Sequence, residues 1–468
     1  MPSLDASPYA AAAETEPDAA LPPQPRTLRD TGLPQQLVVE LIAKVIYLSG
    51  RTHLPVLTTK LHLSINVLRE ALDFLVAEHV AEVAWRGESD IDVQYQLTAA
   101  GKQRASGWME RCRYVGPAPV TLEAYRAMVE RQAVQAPQLC ADDLAAEFAD
   151  DFLSPPVRQM LGAAMYSGRT MLLYGPSGSG KSVLARRLGA MQQGLIVVPH
   201  ALMVGQDIIQ VYDPVLHRAP LPREVRQAPE RRSTDPRWVL CQRPVVALDG
   251  DLSADMLDPQ PDTPNGCYRA PPQLMANNGL LIVDDLGRQR MAANDLLNRF
   301  SQAQELRRSQ LSLAGGYHFS APCRMRLLFA TSEAPRTLLD ASALRRVGYK
   351  IAVGALSAAN YRALFRQQCM SAGLLYDEPS LRYLIDELHA GAGLPLLASS
   401  PHEILGRIAD FAGFNGQPPR LTIATLEQAW NSMFAGAVAG ADAGADIAAP
   451  AHAHAAGDTL DQLAQRIV

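Results

Sequence analysis

The stretch MLLYGPSGSGKSV at residues 171–183 leaves the chain few ways to fold. An apolar run (Met171, Leu172, Leu173, Tyr174) stops at Gly175, and Gly175, Pro176, Ser177, Gly178, Ser179, Gly180, Lys181 and Ser182 satisfy G-x-x-x-x-G-K-[ST] in full. This is a P-loop. Its glycines let the backbone bend until successive N–H groups point inward at phosphates, and the helix opening near Lys181, with Val183 in its first turn, adds its positive dipole end. Lys181 is expected to reach the β- and γ-phosphates, and the Ser182 hydroxyl to bind Mg²⁺. The strand before the pattern and the helical VLARRLGAM after it separate a phosphate site from a bare glycine turn.

About a hundred residues on, LLIVDDLGRQR puts four apolar residues directly before Asp284 and Asp285. A buried strand ending in paired carboxylates is the Walker B arrangement. Asp284 is expected to hold Mg²⁺ through water and Asp285 to polarise the water that attacks the γ-phosphate. ATP and Mg²⁺ are the ligands these two motifs imply.

The rest of the chain divides around that pair. Residues 1–33 are poor in large apolar groups and are expected to be disordered. In 34–115, Leu37, Val38, Leu41, Ile42, Val45 and Ile46 form one helical stripe. VLTTKLHL and a helix capped by Ser64 follow, then AEVAWR and IDVQYQL around a polar turn, and a closing helix LTAAGKQRASGWMERC. Three helices and a two-stranded wing predict a winged helix-turn-helix. Its expected recognition helix sets Arg69 against Glu70, Asp73 and Glu78. DNA affinity rests on phosphate neutralisation, so protein contact is favoured over DNA. Residues 116–153 read as a Pro/Gly-punctuated connector with lead-in helices, 154–354 as the nucleotide-binding domain, 355–436 as a lid of four short helices and 437–468 as a flexible Ala/Gly-rich tail. The run 194–199 (GLIVVP) is a strand candidate. Residues 217–237 carry six arginines against three acidic residues; the stretch reads as a solvated insertion or as a contact to a substrate, a neighbouring subunit or nucleic acid.

A net charge of -5 argues against overall polyanion binding. Six scattered cysteines without a C-x-x-C pair fit a reducing cytoplasm. No apolar run is long enough for a membrane span, and the N-terminus lacks a basic region before an apolar one. A soluble, cytoplasmic protein without membrane insertion is expected.

The strand RLLFATS, ending in Thr331 and Ser332, and the paired Arg345 and Arg346 of LRRVGYKI complete the series. With LTAAGKQRA, YVGPAPV, LLYGPSGSGKS, VPHALMVGQDIIQVYDP, RWVLCQRPVV, LIVDDLGRQR and LLNRF, they make residues 34–434 resemble bacterial predicted AAA+ ATPases with chaperone activity, associated with Flp (Tad) pilus assembly. The resemblance implies an α/β fold: a three-layer P-loop AAA+ domain with a parallel sheet, a C-terminal α-helical lid and an N-terminal winged helix-turn-helix. It also implies ATP hydrolysis in a homo-oligomeric ring, expected to have six subunits, acting on a protein client. Ser332 takes the place of sensor 1, which orients the attacking water, and Arg345 or Arg346 that of a finger reaching the neighbouring subunit's nucleotide. Two departures stand out. Thr331-Ser332 replaces a Thr-Asn pair, and Pro401-His402-Glu403 replaces Pro-Arg-Asp in the lid; Arg407, one turn on, is a candidate substitute for the missing arginine. Two competing functions stay open: a DNA-linked regulator using the winged helix, and a nucleotide-sensing scaffold with weak hydrolysis.

Overall fold

The computed structural model describes residues 21–88, 92–135, 139–149, 152–220 and 234–434. Their centre is a parallel sheet of β1 (Met171–Tyr174), β2 (Val245–Leu248), β3 (Leu280–Val283), β4 (Arg326–Thr331) and β5 (Tyr349–Ala352), in the order β2-β3-β4-β1-β5. Every neighbouring pair runs parallel. Evenly apolar strands suit such a sheet because helices must cover both faces. Alternate residues point to opposite sides. Leu281, Val283, Leu327 and Phe329 meet Leu296, Leu297 and Phe300 of the helix Ala293–Leu306. Ile282, Leu328, Ala330 and Ile351 meet Leu161 and Met165 of Pro155–Ser167, and Leu184 and Leu188 of Lys181–Ala190. The result is three layers. The 194–199 run does form a strand, Leu195–Pro199, but it pairs antiparallel with Trp238–Gln242 outside this sheet. Apolar run length alone does not choose a partner.

A second sheet orders Gln260–Asp262, Cys267–Arg269, Asp207–Gln210, Ala201–Val204 and Val120–Thr121. Its edge strand, Val120–Thr121, falls in the stretch read as an extended connector, and the helix Leu122–Val134 after it, one of the expected lead-in helices, buries Tyr125, Met128 and Val129.

The N-terminal part of the chain places the helices Gln35–Ser49, Leu54–Leu61, Ile65–Ala77 and Ala99–Arg111 around an antiparallel sheet. That sheet has the order Arg51–His53, Val93–Leu97, Ala81–Arg86. The Ser64 hydroxyl accepts the Val67 N–H at 3.4 Å, capping the third helix as its position suggests. Disorder through residue 33 does not hold for residues 21–33. Leu28 and Leu33 are buried with the helical core, the Leu28 N–H donates to Glu70 Oε2 at 2.8 Å, and Ser64 Oγ donates to the Pro25 carbonyl at 2.8 Å. Two leucines in a polar segment are a weak local signal, but a ready-made groove makes their burial favourable. The remaining residues of that expected tail, 1–20, lie outside the described residues.

Lys44 is fully buried in this core, its Nζ donating to Glu40 Oε1 at 3.2 Å and to the Cys112 carbonyl at 3.0 Å. Removing one partner from a buried ion pair strands the other's charge at a cost of about 3–5 kcal/mol. Glu40→Gln is expected to destabilise the protein by that order in urea unfolding, whereas an unchanged midpoint would mean that Lys44 finds another counter-charge.

Arg237 is also structural. Only 4% exposed, it donates to both Asp235 carboxylate oxygens (Nε at 3.1 Å to each, Nη2 at 2.8 Å to Oδ2) and through Nη1 to the carbonyls of Thr31 and Pro119. It therefore leaves the set of contact arginines expected at 217–237; residues 221–233 of that stretch lie outside the described residues.

Residues 362–396 and 400–434 form a compact unit of their own. The helices Ser400–Phe414 and Ile423–Met433 bury Ile404, Leu405, Ile408, Leu426 and Trp430. Trp430 meets the His389 ring edge-on at 4.8 Å. Arg407 Nη1 donates to the Glu403 carbonyl at 3.0 Å and lies 3.8 Å from its carboxylate. Residues 435–468 lie outside the described residues, and with them the expected tail.

Candidate nucleotide-binding site

β1, β3 and β4 end at one edge of the parallel sheet, the edge at which open α/β sheets bind ligands. The P-loop leaves β1 there. Gly175, Gly178 and Gly180 adopt φ of 145°, 81° and 94°, conformations that side-chain-bearing residues rarely take. A Cβ on Gly175 would lie 2.1 Å from the Val353 carbonyl oxygen, and one on Gly178 would lie 2.5 Å from Ser399 Oγ. Such a backbone can turn its N–H groups to an anion at the start of Lys181–Ala190. Gly175→Ala pays for an essentially glycine-only conformation, about 1–3 kcal/mol, and for the clash as well. A lower melting temperature together with weaker nucleotide binding is expected; a melting curve matching the parent would contradict the tight Val353 approach.

Lys181 is 6% exposed, and its Nζ donates to the carbonyls of Gly175 at 2.9 Å and Pro176 at 2.8 Å. Burial lowers its pKa, while the carboxylates of Asp284 and Asp285 act in the opposite direction. The motifs that lie about a hundred residues apart in sequence thus share one electrostatic site. Ser182 and Val183 follow on the first helical turn, Ser182 half-buried and Val183 exposed.

Asp284 closes β3, with its N–H on the Leu248 carbonyl of β2 at 2.9 Å and its Oδ1 accepting the Asp285 N–H at 3.0 Å. Asp285 is exposed and has φ 49°, a left-handed conformation uncommon outside glycine. Gln289, at 9% exposure, holds it there. Its Nε2 donates to the carbonyls of Asp284 at 2.8 Å and Asp285 at 3.2 Å, and its Oε1 accepts the Gly287 N–H at 3.0 Å. Gln289 is not legible in the sequence, where its one local signal is a glutamine four residues after a carboxylate pair. Gln289→Ala is expected to cut ATP turnover by up to about 10²-fold through misplacement of Asp285, with ATP affinity kept; equal turnover in a steady-state assay would remove that role.

Thr331 ends β4 and is already occupied: its Oγ1 donates to the Leu286 carbonyl at 2.8 Å and accepts the Glu333 N–H at 3.2 Å. It ties the β4 end to the Asp284–Asp285 loop. Ser332, next along, is half-buried.

Ser182 and Asp284 offer a hydroxyl and a carboxylate, hard oxygens that suit Mg²⁺. Among the described residues no three or more His, Cys, Asp or Glu side chains converge. Ser182 and Asp284 would hold such a cation, which would draw on phosphate and water for its remaining ligands, as Mg²⁺ prefers.

Arg345 and Arg346 are not at this edge. They end the helix Ala341–Arg346, just before Gly348 and the start of β5, and so lie at the opposite end of the strands. Both are exposed, and Arg346 Nη1 donates to Asn298 Oδ1 at 2.7 Å.

Fold and site together define an α/β domain with a P-loop and a carboxylate pair at one edge of a five-stranded parallel sheet. Residues 357–432 match a family model described as a domain of unknown function (DUF8689). No curated protein matches the chain. Among solved structures, the chain overlaps NtrX from Brucella abortus in complex with ATP, at 13% identity over 59% of this chain and 55% of that one, with a TM-score of 0.37. It also overlaps the Thermotoga maritima RuvB Holliday junction branch migration motor, at 13% identity over 62% and 73%, with a TM-score of 0.35. The chain spans about half the length of the NtrX chain it matches. Overlaps this loose carry no weight for function. Among the described residues, no helix is long and apolar enough to cross a membrane.

Proposed function

We propose that the protein is an AAA+ ATPase that binds ATP with Mg²⁺ and uses its hydrolysis to remodel or assemble a protein partner. The observation that carries this reading is the convergence of Lys181, Asp284 and Asp285 at one sheet edge, beside a loop whose three glycines take left-handed backbone conformations. Lys181 and the P-loop amides bind the phosphates, Ser182 and Asp284 hold the cation, and Asp285 orients and deprotonates the attacking water. Bound Mg²⁺ neutralises phosphate charge. Ser332 steadies that water from β4. Arg345 or Arg346, facing away from this chain's own P-loop, serves a neighbouring subunit. The helical unit of residues 362–396 and 400–434 is the lid in this scheme. The sequence resemblance alone carries a role in pilus or secretion assembly.

The helices and antiparallel sheet of residues 35–111 fit a winged helix-turn-helix. Helix-turn-helix proteins offer the start of the recognition helix to DNA. Here the segment 21–33 lies on the start of Ile65–Ala77 through Ser64 and Glu70, which favours protein contact over the DNA-linked alternative.

The test is nucleotide affinity and ATP turnover of the full chain across protein concentration, with Lys181→Ala as control. Micromolar ATP binding and turnover per subunit that rises with concentration are expected. Absence of ATP binding overturns the proposal; binding with concentration-independent, negligible turnover replaces it with the nucleotide-sensing scaffold.

A further inference from the structure

A cleft of about 750 Å³ opens at the sheet edge opposite the P-loop, where Thr170, Gly279, Arg326 and Gly348 mark the starts of β1, β3, β4 and β5. Arg169, Arg243, Arg307, Arg326, Arg345 and Arg346 line it, and Arg324 is a seventh guanidinium. The carboxylates are few: Glu305 in the lining, and Glu130, which pairs with Arg324. Among the described residues, seven guanidiniums in the lining thus face these two carboxylates.

Arg326 and Arg346 are held by neutral amide oxygens. Arg326 Nη1 donates to Gln192 Oε1 at 2.7 Å. Arg243, 6% exposed, donates to the carbonyls of Gln193 at 2.8 Å and Asn278 at 2.7 Å. Arg346 rests on an amide oxygen, as described above. Burial also lowers the Arg326 pKa. Amides and carbonyls fix a guanidinium's direction without supplying the counter-charge that a desolvated cation needs, so an anion entering the cleft recovers that cost.

The chemistry narrows the anion. Guanidinium forks match phosphate oxygens in paired hydrogen bonds. No aromatic side chain lines the cleft to stack a base. A chain of phosphates concentrates several charges within reach of several arginines. It is not the chain held by the same molecule's P-loop, because β1 alone, four residues long, separates the two edges by about 13 Å.

We propose that this cleft binds a chain of two or more phosphates, with Arg169, Arg307 and Arg326 acting beside Arg345 and Arg346. The phosphates come from a free polyphosphate or nucleotide, or from a nucleotide seated on a second copy of this chain; the second source rests on the oligomer reading above, the first does not.

The full chain carrying Lys181→Ala, which disables its own P-loop, is titrated calorimetrically with tripolyphosphate. Binding is expected, and adding Arg169→Gln and Arg307→Gln, both at exposed positions, is expected to weaken it at least tenfold. Arg326→Gln, with folding checked by thermal melting, is expected to do the same. For the second source, the Lys181→Ala chain is mixed with an otherwise native Arg169→Gln/Arg307→Gln chain. Turnover recovered in the mixture identifies the phosphates of a neighbouring copy. Tripolyphosphate binding without recovery identifies a free anion, and it supports the cleft even if the native chain shows no turnover at all. No arginine-dependent binding and no recovery together overturn the proposal.

Discussion

Replacing Arg346 or Arg345 with alanine is expected to lower ATP turnover about 10³-fold or more in at least one variant, the effect typical of a guanidinium that stabilises charge on a transferring phosphoryl group. The structure gives this prediction a direction. Both residues lie at the start of β5, a strand's length from the P-loop at its far end, so neither can serve the phosphates of its own chain. Arg346 is the stronger candidate because Asn298 already orients its guanidinium, reducing the side-chain entropy lost on engaging a phosphate. Under the proposed role on a neighbouring subunit, ATP affinity of an isolated subunit is expected to stay at the parent value while turnover falls. Measuring kcat and ATP dissociation constants for both single variants decides the matter. Full turnover in both would reject any role for these arginines between subunits.

Asp285→Asn is expected to reduce turnover by about 10²–10⁴-fold, the range for loss of a general base, while ATP binding is retained. Asparagine keeps the size and tolerates the left-handed backbone that Asp285 adopts, so the loss reads out chemistry and not refolding of the loop. The paired Asp284 stays in place, its N–H on β2. An equally large fall in ATP affinity would instead assign Asp285 to cation or phosphate binding, and unchanged turnover would place the base elsewhere.

Much of the candidate site was legible in the chain itself. The P-loop and the Asp284–Asp285 pair are each contiguous, because a phosphate cradle is made of successive backbone amides and a strand-end carboxylate needs only the strand before it. The β4 hydroxyls were found for the same reason. Gln289 was not, because its two amide bonds to backbone carbonyls depend on a turn conformation that no residue type announces. The arginine cleft was legible only at Arg345 and Arg346; Arg169, Arg243, Arg307 and Arg326 stand far apart along the chain, and only strand order collects them.

The sequence by itself determined the chemistry at the ends of β1 and β3, since each motif carries its own local geometry in glycines, a lysine and carboxylates. It also determined the helical stripes of the N-terminal and C-terminal parts, whose 3.6-residue period is a property of the segment alone. Tertiary structure decided which apolar runs became neighbours: Val245–Leu248 joins the parallel sheet while the equally apolar Leu195–Pro199 pairs elsewhere. It also decided that residues 21–33 pack as part of the core, and that the P-loop and the paired arginines face opposite ways. Pairing and burial are non-local: their free energy comes from surfaces supplied by distant segments, and no window of sequence contains both partners.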